Sequence, residues 1–189
     1  MQDVNKALVF VGMPGAGKSI CVELLKEKGL PLTYFGGITI EELGRRGLEV
    51  NEANERIVRE DIRAKEGKGA YATRILNQVQ DLFEHGHGLV VVDGLYSWTE
   101  YKIFKDSLGQ NAIIIAVVAP RLERHARLAM RPRRPLSPEE SDARDYAEIE
   151  HIEKGGPIAN ADYSILNDGT VAETKDALTQ LLAKLKIEL

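Results

Sequence analysis

The chain has one cysteine, Cys21, among 189 residues, so no disulfide can close within it and no thiolate cluster can hold a metal. A reducing, cytoplasmic compartment is the expectation. Long hydrophobic runs are missing too. The longest, AIIIAVVA over 112–119, falls far short of the roughly 20 residues that span a bilayer, and no membrane partner is expected. The opening MQDVNKALVFVG lacks a basic lead and a small-residue cleavage site, so no secretory signal is expected. An excess of positive charge is lacking as well. Lys+Arg 25 against Asp+Glu 29 gives −4, too acidic overall for a chain whose main partner is a nucleic acid. Any basic site must be local.

What is present is a globular balance of 43% hydrophobic and 29% charged residues, enough for one domain over 1–189 with its own core. Short β-branched runs alternate with longer stretches of helical period, the pattern of crossover units on a parallel sheet, hence an α/β fold. Strands are expected at 7–11, 32–35, 88–93, 112–118 and 162–166, the third and fourth near the sheet centre because they are almost wholly apolar. Helices are expected at 18–28, 51–65, 69–85, 97–107, 121–130, 138–153 and 171–187. In the last, Val171, Ala177, Leu178, Leu181, Leu182 and Leu185 form the stripe that would pack on the sheet. GGPIAN (155–160) and RPRRPLSP (131–138) read as turns rather than linkers.

Gly12-Met13-Pro14-Gly15-Ala16-Gly17-Lys18-Ser19, continued by Ile20, follows the first strand and opens a helix, which is the setting that gives G-x-x-x-x-G-K-[ST] its meaning. Glycines let successive N–H groups turn around an anion, and the helix start adds its dipole. Lys18 would reach the β- and γ-phosphates of ATP, and the Ser19 hydroxyl would ligate Mg²⁺. Asp93, ending an apolar strand before Gly94, is placed to orient that metal, partly through water. Arg124, Arg127 and Arg131 share a helix face at three- and four-residue spacing, and such crowded like charges call for an anionic partner. His85 and His87 flank Gly86 with no third ligand near in sequence and read as loop histidines, and His125 and His151 are given no special role.

Through VFVGMPGAGKS (9–19), YFGGITIEELGRRGL (34–48), VREDIRAKEGKGAYA (58–72), VVVDGLYS (90–97), the segment Arg121–Arg134, ARDYAEIE (143–150) and ADYSILNDGT (161–170), the chain resembles the small P-loop kinases. That superfamily includes adenylate kinase and dephospho-CoA kinase. The resemblance is nearest to an archaeal and bacterial adenylate-kinase-like group. It implies a three-layer fold with a five-stranded parallel sheet in order 2-3-1-4-5. It also implies an acceptor-binding insert at about 36–85 and an Arg-rich helical lid at about 121–155, which includes Arg133. Lid residues Arg127, Arg131 and Arg144 would then act in catalysis beside Lys18 and Asp93. Asn167 and Gly169 would border the adenine, and Arg45, Arg59, Arg63 and Tyr96 would meet the acceptor.

The resemblance also has gaps. Gly36-Gly37 and Ile40 stand where relatives carry Gly-Asp and a nearby Arg, and Tyr96 stands where they carry Arg. Two positive groups are therefore missing, which leaves room for a less anionic or more apolar acceptor walled by Tyr96, Trp98 and Tyr101. The expected activity is phosphoryl transfer from ATP with Mg²⁺ to a small nucleotide-like acceptor. Hydroxyl phosphorylation of the dephospho-CoA kinase kind, and an ATP-binding switch or slow ATPase that reports to a protein partner, stay open as alternatives.

Overall fold

The computed structural model describes residues 5–132 and 134–188. Arg133, residues 1–4 and residue 189 lie outside them. Five parallel strands, β1 (Lys6–Val11), β2 (Leu32–Tyr34), β3 (Leu89–Asp93), β4 (Ala112–Val118) and β5 (Tyr163–Leu166), form one sheet in the order β2-β3-β1-β4-β5. Helices α1 (Lys18–Glu27), α2 (Phe35–Arg46), α3 (Glu52–Glu66), α4 (Ala70–Glu84), α5 (Trp98–Leu108), α6 (Arg121–Ala129), α7 (Pro138–Glu150), α8 (Gly155–Ala159) and α9 (Val171–Lys184) surround it.

Strand alternation produces the layers. Ala7, Val9 and Val11 of β1 point to one face, where Phe35, Ile38, Val58, Ile62, Ile75, Val79 and Phe104 from α2 to α5 cover them. Leu8 and Phe10 point to the other, against Cys21, Val22 and Leu25 of α1 and Leu178 and Leu182 of α9. Each fully buried Val, Leu or Phe contributes about 1.5–3 kcal/mol, so both faces of β1 are committed to the core. The strand at the centre is β1, with β3 and β4 beside it.

Two elements differ from expectation. Phe35 opens α2 instead of closing β2: its fully buried ring, with Ile38 and Leu43, makes a helical stripe whose burial outweighs the roughly 1 kcal/mol penalty of each of Gly36 and Gly37. The segment 155–160 forms α8 rather than a plain turn, with Pro157 buried. At the start of α9, Val171 is 54% exposed and off the buried stripe, which consists of Thr174, Leu178, Leu181 and Leu182.

Candidate functional site

The turn from β1 into α1 is shaped by three glycines. A Cβ on Gly12 would stand 2.5 Å from the Val117 carbonyl oxygen, so only glycine lets the turn lie this close to β4. Gly15 (φ 79°) and Gly17 (φ 87°) adopt left-handed backbone, and a Cβ on Gly15 would meet the Arg124 carbonyl oxygen at 2.5 Å. Gly17 is the N-cap of α1, which has no side-chain cap. By contrast Asn51, Ser97, Ser137 and Thr170 cap α3, α5, α7 and α9 with their side chains. The Ile20 N–H donates to the Gly17 carbonyl oxygen at 3.0 Å, which leaves the Lys18 and Ser19 N–H groups of the first turn for an external anion that the helix dipole favours.

Gly12, Met13, Pro14, Gly15, Ala16, Gly17, Lys18, Ser19 and Ile20 line a cleft of about 360 Å³, whose other lining residues are Tyr96, Arg127, Arg131, Arg144, Glu148 and Lys154. The volume is in the range of small-ligand sites. Lys18 Nζ donates to Asp93 Oδ1; the register that pairs Phe10 with Asp93 sets this carboxylate at the end of β3 beside the turn. Burial, and after it the ammonium of Lys154, push Lys18 down to about 8. That value is still above neutrality, and the Asp93 contact favours the ammonium further. The Cys21 thiol is buried and pushed up to about 12, which makes it inert.

Ser19 and Asp93 are hard oxygen donors. Among the described residues no group of three or more His, Cys, Asp and Glu could cage a metal. A hydroxyl, a carboxylate and an open cleft fit Mg²⁺, which keeps several waters and takes its remaining ligands from phosphates. They do not fit a zinc site.

Of the arginines that line the cleft, Arg127 donates from Nη2 to the Asn167 carbonyl oxygen at 3.0 Å and to Glu123 Oε2 at 3.3 Å. Its Nη1 is buried with no partner among the described residues. A buried, orphaned guanidinium nitrogen in a cleft lined by a phosphate-type turn has a natural partner in an anion. Burial, and then Arg144, push Arg131 down, so two guanidinium groups crowd the same wall. Arg124 does not join them. Its guanidinium turns inward, forking onto Asp145 of α7 at 2.9 and 2.6 Å and donating to the Pro14 carbonyl oxygen at 3.0 Å. His125 Nε2 lies 3.0 Å from the same carboxylate, so this histidine has a structural partner where the sequence suggested none.

The remaining expected site residues separate. Tyr96 is in the cleft, its ring edge-on to Phe35 at 5.7 Å. The Asn167 side chain lies beneath the turn: its Nδ2 donates to the Ala16 carbonyl oxygen at 2.8 Å, and its Oδ1 accepts from Thr174. Gly169 packs on Glu173, where a Cβ would be 2.3 Å from Oε2. Arg45 is held by Glu42 at 2.8 and 2.6 Å, Arg59 by Glu52 at 2.7 Å and Glu55 at 3.2 Å, and Arg63 lies over the Tyr71 ring at 5.0 Å. These three are not among the residues that line the cleft. Trp98 and Tyr101 stack at 4.8 Å, and Trp98 packs against Gly156 of α8, so they support that helix and do not wall the cleft.

Sequence reasoning missed Glu148 and Lys154. Glu148 lies within a helix that carries five other acidic residues, and nothing in the sequence separates it from the exposed Glu139, Glu140 and Glu150 or from the buried Asp145. Lys154 follows a helix end made by a left-handed Glu153 (φ 56°) with no glycine to announce it. The Gly155-Gly156 pair just beyond was the available signal that the chain stops and turns there.

A family described as AAA domain matches residues 8–147. A UPF0200 protein of Thermococcus kodakarensis is 35% identical over 185 residues, covering 94% of this chain and 99% of the relative. A UPF0200/UPF0201 protein of Archaeoglobus fulgidus is 34% identical over 184 residues, 95% of this chain, and the chain spans 56% of that relative's length. Among solved structures, a Thermus thermophilus protein superposes with a TM-score of 0.69 at 22% identity, covering 96% of this chain and 98% of the other. Shikimate kinase from Acinetobacter baumannii in complex with shikimate gives 0.57 at 18% identity, covering 97% and 94%. These structural likenesses establish a P-loop kinase-like fold. No helix of the described residues is long and apolar enough to cross a membrane.

Proposed function

The chain belongs to the AAA domain family and to the UPF0200 proteins, and from that premise we propose that it is an ATP- and Mg²⁺-dependent phosphotransferase acting on a small nucleotide-like acceptor. The observation that carries the proposal is a single cleft in which the uncapped start of α1 and Lys18 share the lining with the orphaned Nη1 of Arg127 and with Arg131 and Arg144.

Phosphoryl transfer needs little covalent chemistry from a protein and much positioning and charge neutralisation. The turn 12–17 would grip the donor phosphates through main-chain N–H groups, and Lys18 would exchange Asp93 for a phosphate oxygen. That exchange frees the Asp93 carboxylate. Ser19 and Asp93 would hold Mg²⁺, which when bound would supply positive charge to offset that of the donor phosphates. Arg127, Arg131 and Arg144, fixed on α6, the following turn and α7, would neutralise charge that develops on the transferring group. The relatives' names specify no substrate, so the acceptor class is the part that most needs a test.

Single-turnover transfer from labelled ATP to nucleoside monophosphates, dephospho-CoA and shikimate tests the assignment. Transfer to a member of this panel is expected, and Lys18→Ala should abolish it and weaken nucleotide binding by tenfold or more in calorimetry without lowering the melting temperature. Absence of ATP binding in the presence of magnesium would overturn the proposal. ATP hydrolysis without transfer to any acceptor would replace it with a switch.

A further inference from the structure

Lys154 is a buried cation, 4% exposed, for which the donor-phosphate reading has no use. The end of α7 delivers it: Glu153 turns left-handed, and the Lys154 N–H donates to the Glu148 carbonyl oxygen at 3.0 Å, closing the helix. The same two residues meet again through their side chains, with Lys154 Nζ 2.5 Å from Glu148 Oε2. Arg144 Nε donates to Glu148 Oε1 at 3.4 Å, so one carboxylate serves two cations. Nζ also stands 4.8 Å from the centre of the Tyr96 ring.

Three features make this more than a structural ion pair. Arg144, Glu148, Lys154 and Tyr96 all line the cleft shared with the phosphate turn. Two cations hydrogen-bond to the one Glu148 carboxylate, and although the buried Glu100 carboxylate also acts on Lys154, its own bonds go to the N–H groups of Tyr96 and Ser97, so the pair of cations can still take oxygens from a further anion. The place is also distinct from that of Arg127. Arg127 is tied to Asn167, just beyond β5, whereas Lys154 sits on Tyr96, which abuts Phe35 just beyond β2. In the order β2-β3-β1-β4-β5 these are opposite ends of the sheet, so the cleft carries cations toward both ends, with Lys18, on which Lys154 acts, beyond the central strand between them.

We propose that Arg144 and Lys154, over the Tyr96 ring, form an oxyanion subsite for the second substrate, and that phosphate or carboxylate oxygens of that substrate compete with Glu148 for the two cations. The subsite rests on the phosphotransferase assignment. It shifts the acceptor toward an anionic compound, against the expectation drawn from the missing arginines.

The test loads the protein with a non-hydrolysable ATP analogue and magnesium, then titrates inorganic phosphate and, separately, acetate while following the melting temperature. At least one anion should stabilise the wild type. Lys154→Met should weaken that anion about tenfold, Lys154→Arg should retain it, and affinity for the analogue should be unchanged in both. A preference for phosphate identifies a phosphate-bearing acceptor, and equal or better response to acetate identifies a carboxylate. If Lys154→Met does not fold, Glu148→Gln decides: removal of the competing charge should tighten anion binding, and weaker binding overturns the subsite. No difference between wild type and Lys154→Met overturns it as well, and so does loss of the ATP analogue in Lys154→Met, which would place the lysine on the donor phosphates. Failure of the wild type to bind the analogue brings down the phosphotransferase assignment itself, and the subsite with it.

Discussion

At the scale of single residues, two ionisable side chains have opposite pH consequences. Lys18, pushed down to about 8, must carry its proton to meet a phosphate, and a bound polyphosphate would raise its pKa again. The complex therefore holds more protons than the free protein above about pH 8. Nucleotide affinity should be flat below that pH and fall by up to tenfold per unit above it, a loss that calorimetry in a buffer series would register and that Lys18→Ala should lack. Glu42 is a different case. The guanidinium groups of Arg45 and Arg46 bond to it and hold its carboxyl down at about 2 against an ordinary 4.5. A depressed carboxylate stabilises the fold above its unfolded pKa, and that contribution is lost as pH falls through the folded value. Urea midpoints should therefore decline between about pH 4.5 and 2, and Glu42→Gln should flatten that limb. Arg45 is thus tied within α2, and Arg46 links α2 to α3 through Asp61 at 2.5 Å, so both guanidinium groups have partners inside the fold.

Among elements, the turn between β1 and α1 is specified by what its glycines lack. Gly15→Ala would combine a left-handed φ with a Cβ 2.5 Å from backbone, so the loop must shift off Arg124. We expect a loss of about 1–3 kcal/mol in urea unfolding together with weaker nucleotide binding. At Gly29 (φ 83°), where nothing stands within 4 Å, alanine should cost about 1 kcal/mol from backbone strain alone and leave binding intact. This turn was legible in the sequence because its chemistry is local: eight consecutive residues carry both the pattern and the mechanism. The strand runs were legible for the same reason, and Ala112–Val118 matches its expected span residue for residue. Helix α2 was not, since Phe35, Ile38 and Leu43 gain their burial from β1, α3 and α4, far away in sequence, while the adjacent glycines speak locally for a turn. Lys154 and Glu148 escaped for a related reason: Lys154 lies outside every stretch that carries the resemblance, Glu148 sits in ARDYAEIE (143–150) with no role attached to it, and the closing turn of α7 brings the two together in the cleft. The sheet order likewise came through resemblance, because strand periodicity fixes faces and not neighbours.

For the molecule as a whole, the segment proposed as a lid, about 121–155, is tied down in two physically different ways. At its base, the Arg124–Asp145 fork is buried and reaches the Pro14 carbonyl, so the phosphate turn and α7 share one guanidinium. At its far side, Arg134 extends to Glu52 and Glu55 of α3 at 3.3 and 3.4 Å, with its own side chain 60% exposed. Breaking a buried pair by removing one partner costs about 3–5 kcal/mol, because an uncompensated charge stays behind, while an exposed pair is worth about 0–1 kcal/mol and is screened by salt. We propose that the base acts as a hinge and the far contact as a latch. Arg134→Ala should leave urea stability within about 0.5 kcal/mol of wild type but speed association and dissociation of a fluorescent ATP analogue, an acceleration that high salt should reproduce in the wild type. Arg124→Ala should lose several kcal/mol of stability and also weaken the analogue, although Arg124 contributes no orphaned donor to the cleft. Because the two sites share no partner, their stability effects should add in the double variant. Strong coupling between them, or equal stability losses from both single variants, would show that the lid is held as one rigid piece and has no latch.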